Sequence, residues 1–188
     1  MEEFWAEFTK KFTMAFVTGD RWKLYLKGMC TTLELTACAL VIGVILGVLV
    51  AVIRSAHDQQ RPGKRNFALG VVNVLCKLYT TVIRGTPMLV QLLIWGYVVF
   101  TSTRNRFFVG MLGLGINSGA YLAEIVRGGL MSVDTGQTEA GRSLGLDYID
   151  TMRFIVIPQA FKNILPALGN EFIVLFKDTS LVSYVGAT

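Results

Sequence analysis

The chain has 188 residues, of which 53% are hydrophobic and only 16% charged, with a mean hydropathy of +0.52. Soluble domains carry about a quarter charged residues, so this balance points to a membrane-embedded chain rather than a globular one. The formal net charge is +5, but the cations are scattered between apolar runs instead of clustering with aromatics, which sets nucleic-acid binding aside.

The opening stretch, MEEFWAEFTKKFTMAF, is acidic at its tip and lacks the charged-then-apolar order of a signal peptide. Wound as a helix, it places Phe4, Trp5, Phe8, Phe12 and Phe16 on one face, with Glu7, Lys10 and Lys11 elsewhere. That pattern suits a helix lying in the membrane interface, or an ordinary packing helix. The clearest membrane span follows at Thr31 to Ile53, whose 23 residues, at ~1.5 Å each, cover a hydrocarbon layer of ~30 Å. Only Glu34, near one end, interrupts it, and Gly43 with Gly47 forms a small-xxx-small pair that lets another helix approach.

The next segment, 54–66, carries Arg54, Arg61, Lys64 and Arg65 around a Pro62-Gly63 turn and reads as a loop of cytoplasmic character. An apolar stretch from Phe67 to Thr103 is broken at RGTPM, where Gly85 can end one helix, Thr86 can cap the next and Pro87 fits its first turn. Two helices are therefore expected, 67–84 (tilted or partly interfacial) and 87–103 (just long enough to span). Phe107 to Val126 is a further span with Asn117 and Ser118 near its middle; Glu124 and Arg127, three residues apart at its end, can pair.

A polar segment, 128–163, separates this span from a last apolar one, Ile164 to Val185, which contains Asn170, Glu171, Lys177 and Asp178. Each Asp or Lys near a helix centre costs about 2.5–3.5 kcal/mol on insertion, and each Leu or Ile returns only ~0.3–0.6 kcal/mol. The segment therefore cannot stand alone in lipid; its charges either line a polar path or neutralise each other, Lys177 against Asp178. Cys30, Cys38 and Cys76 lie in or beside apolar runs without metal-like spacing and read as small hydrophobes. The single histidine, His57, reads as a surface residue and leaves no histidine metal cluster to build.

Within the polar segment, GQTEAGRSLG nearly spells a phosphate-binding loop, from Gly136 through Gly141 to Arg142 and Ser143. Arginine stands where lysine should hold the terminal phosphates, no strand precedes it, and QTEAGRSL reads as helix. GLGINSG is likewise no dinucleotide fingerprint, its last glycine being one residue late inside a span. What remains is a helical hairpin: Asp134 or Thr135 caps a helix ending at Gly145, and Asp147 caps a second that Pro158 stops. With Ala140, Leu144, Ile149 and Met152 on its other sides, it suits docking into a groove of a partner protein.

EAGRSLGLDYIDTMRFIVIP resembles the EAA loop of ABC-transporter inner-membrane permeases: Glu139-Ala140, a glycine six residues after the glutamate at Gly145, then Ile-x-hydrophobic-Pro at Ile155 to Pro158. VIRGTPMLVQLL, INSGAYLAEIVRGGL, PQAFKNILPALGNEFI and KDTSLVS are similar to the polar amino acid uptake branch of that family, and the likeness runs from Leu24 to the C-terminus. Gly141 replaces the second alanine of the loop, a helix-weakening change of about 1 kcal/mol, and Ile157 replaces leucine before the proline. Family members usually continue past SYVGAT into one more membrane helix, so the resemblance implies that the last helix is missing here.

The resemblance implies an all-α polytopic membrane bundle of the type I importer kind, with about four membrane helices and cytoplasmic coupling helices. Residues 1–23 would form an amphipathic N-terminal segment and 24–188 the transmembrane domain, its coupling loop at about 134–158. Glu139, Ala140, Gly141, Arg142 and Gly145 would belong to the surface that docks on a cytoplasmic ATPase subunit, Arg142 as a docking or lipid-surface charge. Thr86 would start a pathway-lining span, and Asn117, Asn170, Glu171 and Asp178 either face the translocation path or make structural contacts between helices.

The implied partners are ABC ATPase subunits, a second permease chain (identical or different), an extracytoplasmic amino-acid-binding protein and the lipid bilayer of a bacterial inner membrane. No cofactor would bind directly, ATP and magnesium being held by the ATPase. The family would set the N-terminus and 104–106 outside and 54–66 and 127–163 inside; charge counting leaves the sides close, because Lys10, Lys11, Arg21, Lys23 and Lys27 precede the first span. Other expectations are a non-functional truncated permease, a soluble P-loop NTPase, or a channel or secondary transporter working without an ATPase.

Overall fold

Between Arg21 and Asp58 the chain has no proline and is rich in Leu, Val, Ala and Ile, so a helix satisfies every backbone group without water. The computed structural model describes residues 1–60 and 66–186; the expected Pro62-Gly63 turn and Arg61, Lys64 and Arg65 lie outside the described residues. Helix α1 (Glu2–Phe12) runs through a π-type turn (Thr13–Val17) and a short 3-10 turn (Thr18–Asp20) into α2 (Arg21–Asp58). Gly19 and Asp20, at φ +68° and +57°, are both left-handed, which breaks the helix axis there. The 38 residues of α2 extend about 57 Å, well beyond a bilayer core.

Helix α3 (Phe67–Gly85) is capped by Asn66, whose side chain accepts from the Ala68 N–H, and α5 (Arg106–Met131) by Asn105, which accepts from Phe108 N. Helix α4 (Met88–Ile94) continues only through a π turn to Val99. It is shorter than the expected 87–103 span: its 7 residues plus the 5 of the turn reach about 18 Å. Phe100 leaves helical geometry after its N–H bonds Trp95 O, and the freed Gly96 carbonyl accepts from Arg106 at 2.9 Å. The polar segment folds as α6 (Thr135–Ser143) and α7 (Tyr148–Thr151), followed by a π turn (Met152–Val156), α8 (Ile157–Asp178) and a 3-10 turn (Thr179–Val185). No strand occurs among the described residues. Among the described residues, three helical stretches are long and apolar enough to cross a membrane: the α1–α2 run, α3 and α5.

Pro158 does not stop the helix as expected but opens α8, at its first turn. The preceding π turn, closed by Ile157 N–H on Met152 O, has already left i→i+4 spacing, so a residue with no N–H breaks no bond there.

The most extensive packing is between α2 and α5. Ala39, Gly43, Gly47 and Ala51 recur every fourth residue on α2 and are all buried. They face Gly115, Ser118, Gly119, Leu122 and Ala123 on α5. A methyl group on Gly47 would sit 2.6 Å from Leu122 Cβ, and one on Gly115 would sit 2.8 Å from Ile42 Cβ. Small residues on both helices are therefore required, which is how helices associate where lipid removes the hydrophobic driving force. The small pair anticipated on α2 has a counterpart at Gly115 and Gly119, in the stretch dismissed as a nucleotide fingerprint. Around this seam Leu35, Ala39, Leu92, Leu114, Leu175, Val182 and Val185 form one buried cluster.

At one end of the seam charges tie the two helices. Arg54 of α2 pairs with Glu124 of α5 and reaches Thr80 of α3 at 3.4 Å, while Arg127 pairs with Asp58 at 2.7 Å. The expected pairing of Glu124 with Arg127 is present but long, 3.9 Å, because each finds a better-placed partner on α2. His57 is not a loop residue but half-buried in the last turn of α2, 3.2 Å from Asn73. Cys76 is buried; Cys30 and Cys38 lie on outward surfaces.

Gly47→Val is expected to destabilise the fold by about 1–3 kcal/mol through overpacking. Gly28→Ala, at a helical glycine with nothing within 4 Å, should be neutral or stabilising by up to ~1 kcal/mol. Thermal unfolding midpoints in detergent check both.

Candidate functional site

The α3–α4 break creates a polar cleft. Thr86 precedes proline and is extended (φ −115°, ψ 139°), so α3 ends with unused carbonyls. Thr86 does not cap α4, contrary to expectation; its hydroxyl turns back to Val82 O at 3.0 Å, and Pro87 precedes the first residue of α4. Gln91, one turn into α4 and only 6% exposed, collects the loose ends. Its Nε2 donates to Ile83 O, Thr86 O and Thr86 Oγ1 at 2.7, 2.9 and 2.7 Å, and its Oε1 accepts from Asn117 Nδ2 at 3.2 Å. With Nδ2 committed, Asn117 keeps Oδ1 as its remaining acceptor.

Beside it, Ser118 donates to Glu171 Oε1 at 2.9 Å, joining α5 to α8. Glu171, Val174 and Asp178 fall on one face of α8 because they are three or four residues apart. That face, with Arg84, Tyr121 and Asn170, closes a cleft of about 460 Å³. All five residues singled out in the sequence for a path, Thr86, Asn117, Asn170, Glu171 and Asp178, line this one void. Arg84, Gln91, Ser118 and Tyr121 were not anticipated. Arg84 sits two residues before Thr86, and its guanidinium lies 5.2 Å over the Tyr121 ring. Gln91 is a lone polar residue in an apolar run, and Ser118 adjoins Asn117, so each carried a signal in composition but not in spacing. Lys177 is exposed, and no Lys177–Asp178 ion pair forms among the described residues.

One guanidinium, two carboxylates and two amides around a space of this size match a small molecule bearing both charges. Such polar groups inside a bundle of membrane helices are costly unless paired or hydrated.

The α6–α7 hairpin is a second surface. The Asp134 side chain accepts from Gly136 N at 2.7 Å, so Asp134 rather than Thr135 is the cap, and Asp147 accepts from Asp150 N at 2.8 Å. Between them Gly145, at φ +84°, turns the chain, and Leu146 N–H bonds Gly141 O at 3.1 Å. The amides of the phosphate-loop look-alike are therefore spent inside a helix and its cap. Gly141 is buried, and a methyl group there would lie 2.9 Å from Ile155 Cδ1 and 3.0 Å from Thr151 Cγ2. Glycine at this position lets α6 settle onto α7 and the turn after it.

Glu139, Ala140, Arg142 and Gly145 are exposed. Leu144 and Ile149 project at 80% and 70% exposure, whereas Met152 is partly covered. The hairpin is tied to the spans by Tyr148 on Gln59 of the α2 end (2.5 Å) and to α8 by Gln159 on Gln137 (3.2 Å); farther along α8, Asn163 reaches Ser132 after α5 (2.8 Å).

Residues 43–188 match the family described as the binding-protein-dependent transport system inner membrane component. Among curated proteins, the chain is 37% identical over 166 residues to the arginine transport system permease protein ArgU of Corynebacterium glutamicum, covering 80% of this chain and 49% of that one. It is 35% identical over 164 residues to the arginine transport system permease protein ArtQ of Bacillus subtilis, covering 86% and 70%. The chain thus spans about half the length of the first relative and 70% of the second. Among solved structures, a crystal structure of an amino acid ABC transporter with histidines aligns at TM-score 0.73 and 44% identity, over 87% of this chain and 72% of that one.

Gln91→Leu should strand the Ile83 and Thr86 carbonyls and release Asn117, lowering stability by about 1–3 kcal/mol. Thermal unfolding of the solubilised chain measures the loss, which should exceed that of Gln60→Leu near the α2 end.

Proposed function

This chain belongs to the family of inner-membrane components of binding-protein-dependent transport systems, and from that membership we propose that it is the permease subunit of an ATP-driven importer for polar amino acids. It acts as a transporter subunit of a bacterial inner membrane and catalyses no reaction. Nucleotide and magnesium are held by partner ATPase subunits; a second permease chain completes the pathway, and an extracytoplasmic binding protein delivers the substrate. Residues 54–66 and 127–163 face the cytoplasm in this reading, and 104–106 the opposite side.

The observation that carries the proposal is the cleft where Arg84, Asn117, Asn170, Glu171 and Asp178 meet. The ammonium group of an amino acid finds acceptors in Glu171, Asp178 and the Asn117 Oδ1, and its carboxylate finds Arg84. Thr86 sits at the break where α3 gives way to α4, so rigid-body movement of either helix reshapes the lining.

The α6–α7 hairpin is the coupling element in this reading. Glu139, Ala140, Arg142 and Gly145 form its exposed edge, Gly141 lets its two helices close together, and Leu144 and Ile149 enter an apolar groove on the ATPase. Tyr148–Gln59 and Gln159–Gln137 then carry ATPase closure to α2 and α8.

Uptake by the chain reconstituted with its ATPase, partner permease and binding protein tests both halves. Glu171→Gln and Asn170→Ala should each lower uptake at least about tenfold, the weight of ~1.4 kcal/mol in a binding or barrier step; normal uptake and selectivity in both would sink the lining role. Leu144→Asp with Ile149→Asp should abolish both uptake and binding-protein-stimulated ATP hydrolysis. The thermal midpoint should stay unchanged, since both side chains already face solvent.

A further inference from the structure

Helix α1 takes no part in the cleft or the hairpin, and none of its residues is buried. Phe4, Trp5, Phe8 and Phe12 are 66%, 60%, 52% and 51% exposed. Their rings nonetheless run as one ladder, with successive centroids 5.9, 6.0 and 6.3 Å apart, then 4.9 Å to Phe16 and 5.1 Å to Tyr25. Tyr25 belongs to α2, where the outward apolar surface continues through Met29, Leu33, Val41 and Ile45. The aromatic face of α1 is thus continuous with the surface α2 carries through the bilayer.

The opposite side of α1 is polar: Glu7 and Lys11 pair at 2.8 Å with side chains 66% and 76% exposed. The hinge decides where the helix goes. Without it, the helical run Glu2–Asp58 of 57 residues would be a rod of about 85 Å. The left-handed pair Gly19 and Asp20 breaks that rod beside Arg21, Trp22, Lys23 and Lys27, the residue types that collect at a membrane–water boundary. Asp20 Oδ2 pins Lys23 at 2.6 Å, holding the corner.

We propose that α1 is an interfacial anchor, lying along the bilayer surface where α2 enters it, with its aromatic ladder among the upper acyl chains and Glu7, Lys10 and Lys11 among the headgroups. Its occupant is phospholipid and not a protein groove. The apolar face runs without a step into the outward apolar surface of α2, a helix long and apolar enough to cross a bilayer, and on the polar face Glu7 pairs with Lys11 within the helix.

The test uses the full chain in vesicles of phosphatidylcholine and phosphatidylglycerol, with Trp22→Phe and Trp95→Phe leaving Trp5 as the sole tryptophan. Trp5 emission should lose most of its intensity when the lipids carry bromine near the glycerol end of their chains, and progressively less as bromine moves to the methyl end. Strongest quenching at the methyl end would mean that the segment spans, and no quenching at any depth would mean a protein or water environment; either overturns the proposal. Phe8→Glu combined with Phe12→Glu should abolish the quenching, and unchanged quenching in that variant also overturns it. If Trp95→Phe disturbs folding, the difference between the natural chain and Trp5→Phe gives the same reading.

Discussion

The rest of the structure depends on how closely α2 and α5 approach. Two helices in lipid gain nothing from excluding water, so they hold together by contact area, and contact needs the backbones near each other. Ala39, Gly43, Gly47 and Ala51 on one side, with Gly115, Gly119 and Ala123 on the other, permit that approach. The seam also fixes what stands beside it. Asn117 and Ser118 share the seam's stretch of α5 and are buried with it, so their side chains are placed by the same packing that closes the interface. The Arg54–Glu124 and Arg127–Asp58 pairs then lock its end.

Several breaks in backbone hydrogen bonding elsewhere are met by a side chain. Gln91 collects the carbonyls left by Pro87, Arg106 takes the one left by the end of the α4 run, and Asp134 and Asp147 cap the hairpin helices. Pro158 is handled the other way, by a widened turn that leaves no bond for it to break. Glu171 is the expensive case, a carboxylate 7% exposed whose hydrogen bond comes from Ser118. Burying a charged carboxylate so deep costs several kcal/mol unless it is paired and hydrogen-bonded.

Much of this was legible in residue order. The α2 and α5 spans, the helix end at Gly85, the turn at Gly145 and the Asp147 cap follow from local chemistry, because apolar runs, glycine and capping residues act over a few positions. The convergence of Thr86, Asn117, Asn170, Glu171 and Asp178 was readable only as five polar intrusions in apolar segments; which of them share a void is a matter of helix packing that spacing does not encode. The partner of Gly43 and Gly47 was hidden for the same reason. Gly115 and Gly119 lie some 70 positions away and look like any glycine-rich turn until the helices are set face to face. The short α4 run and the role of Pro158 eluded pattern reading because both rest on π turns, which leave no mark in hydrophobic periodicity.

Helix α8 bears on the order in which the chain can be assembled during synthesis. An early helix such as α2 is apolar enough to enter lipid as soon as it emerges from the ribosome. Helix α8 carries Glu171, Lys177 and Asp178 and is excluded from that route by its own composition. Its entry has to wait for a prepared berth, and Ser118 and Gly129 on α5 are that berth, meeting Glu171 and Ile164. Because α5 is made before α8, the host surface exists when its guest arrives. A chain with the two segments exchanged would hold the same residues and offer the charged helix nowhere to go.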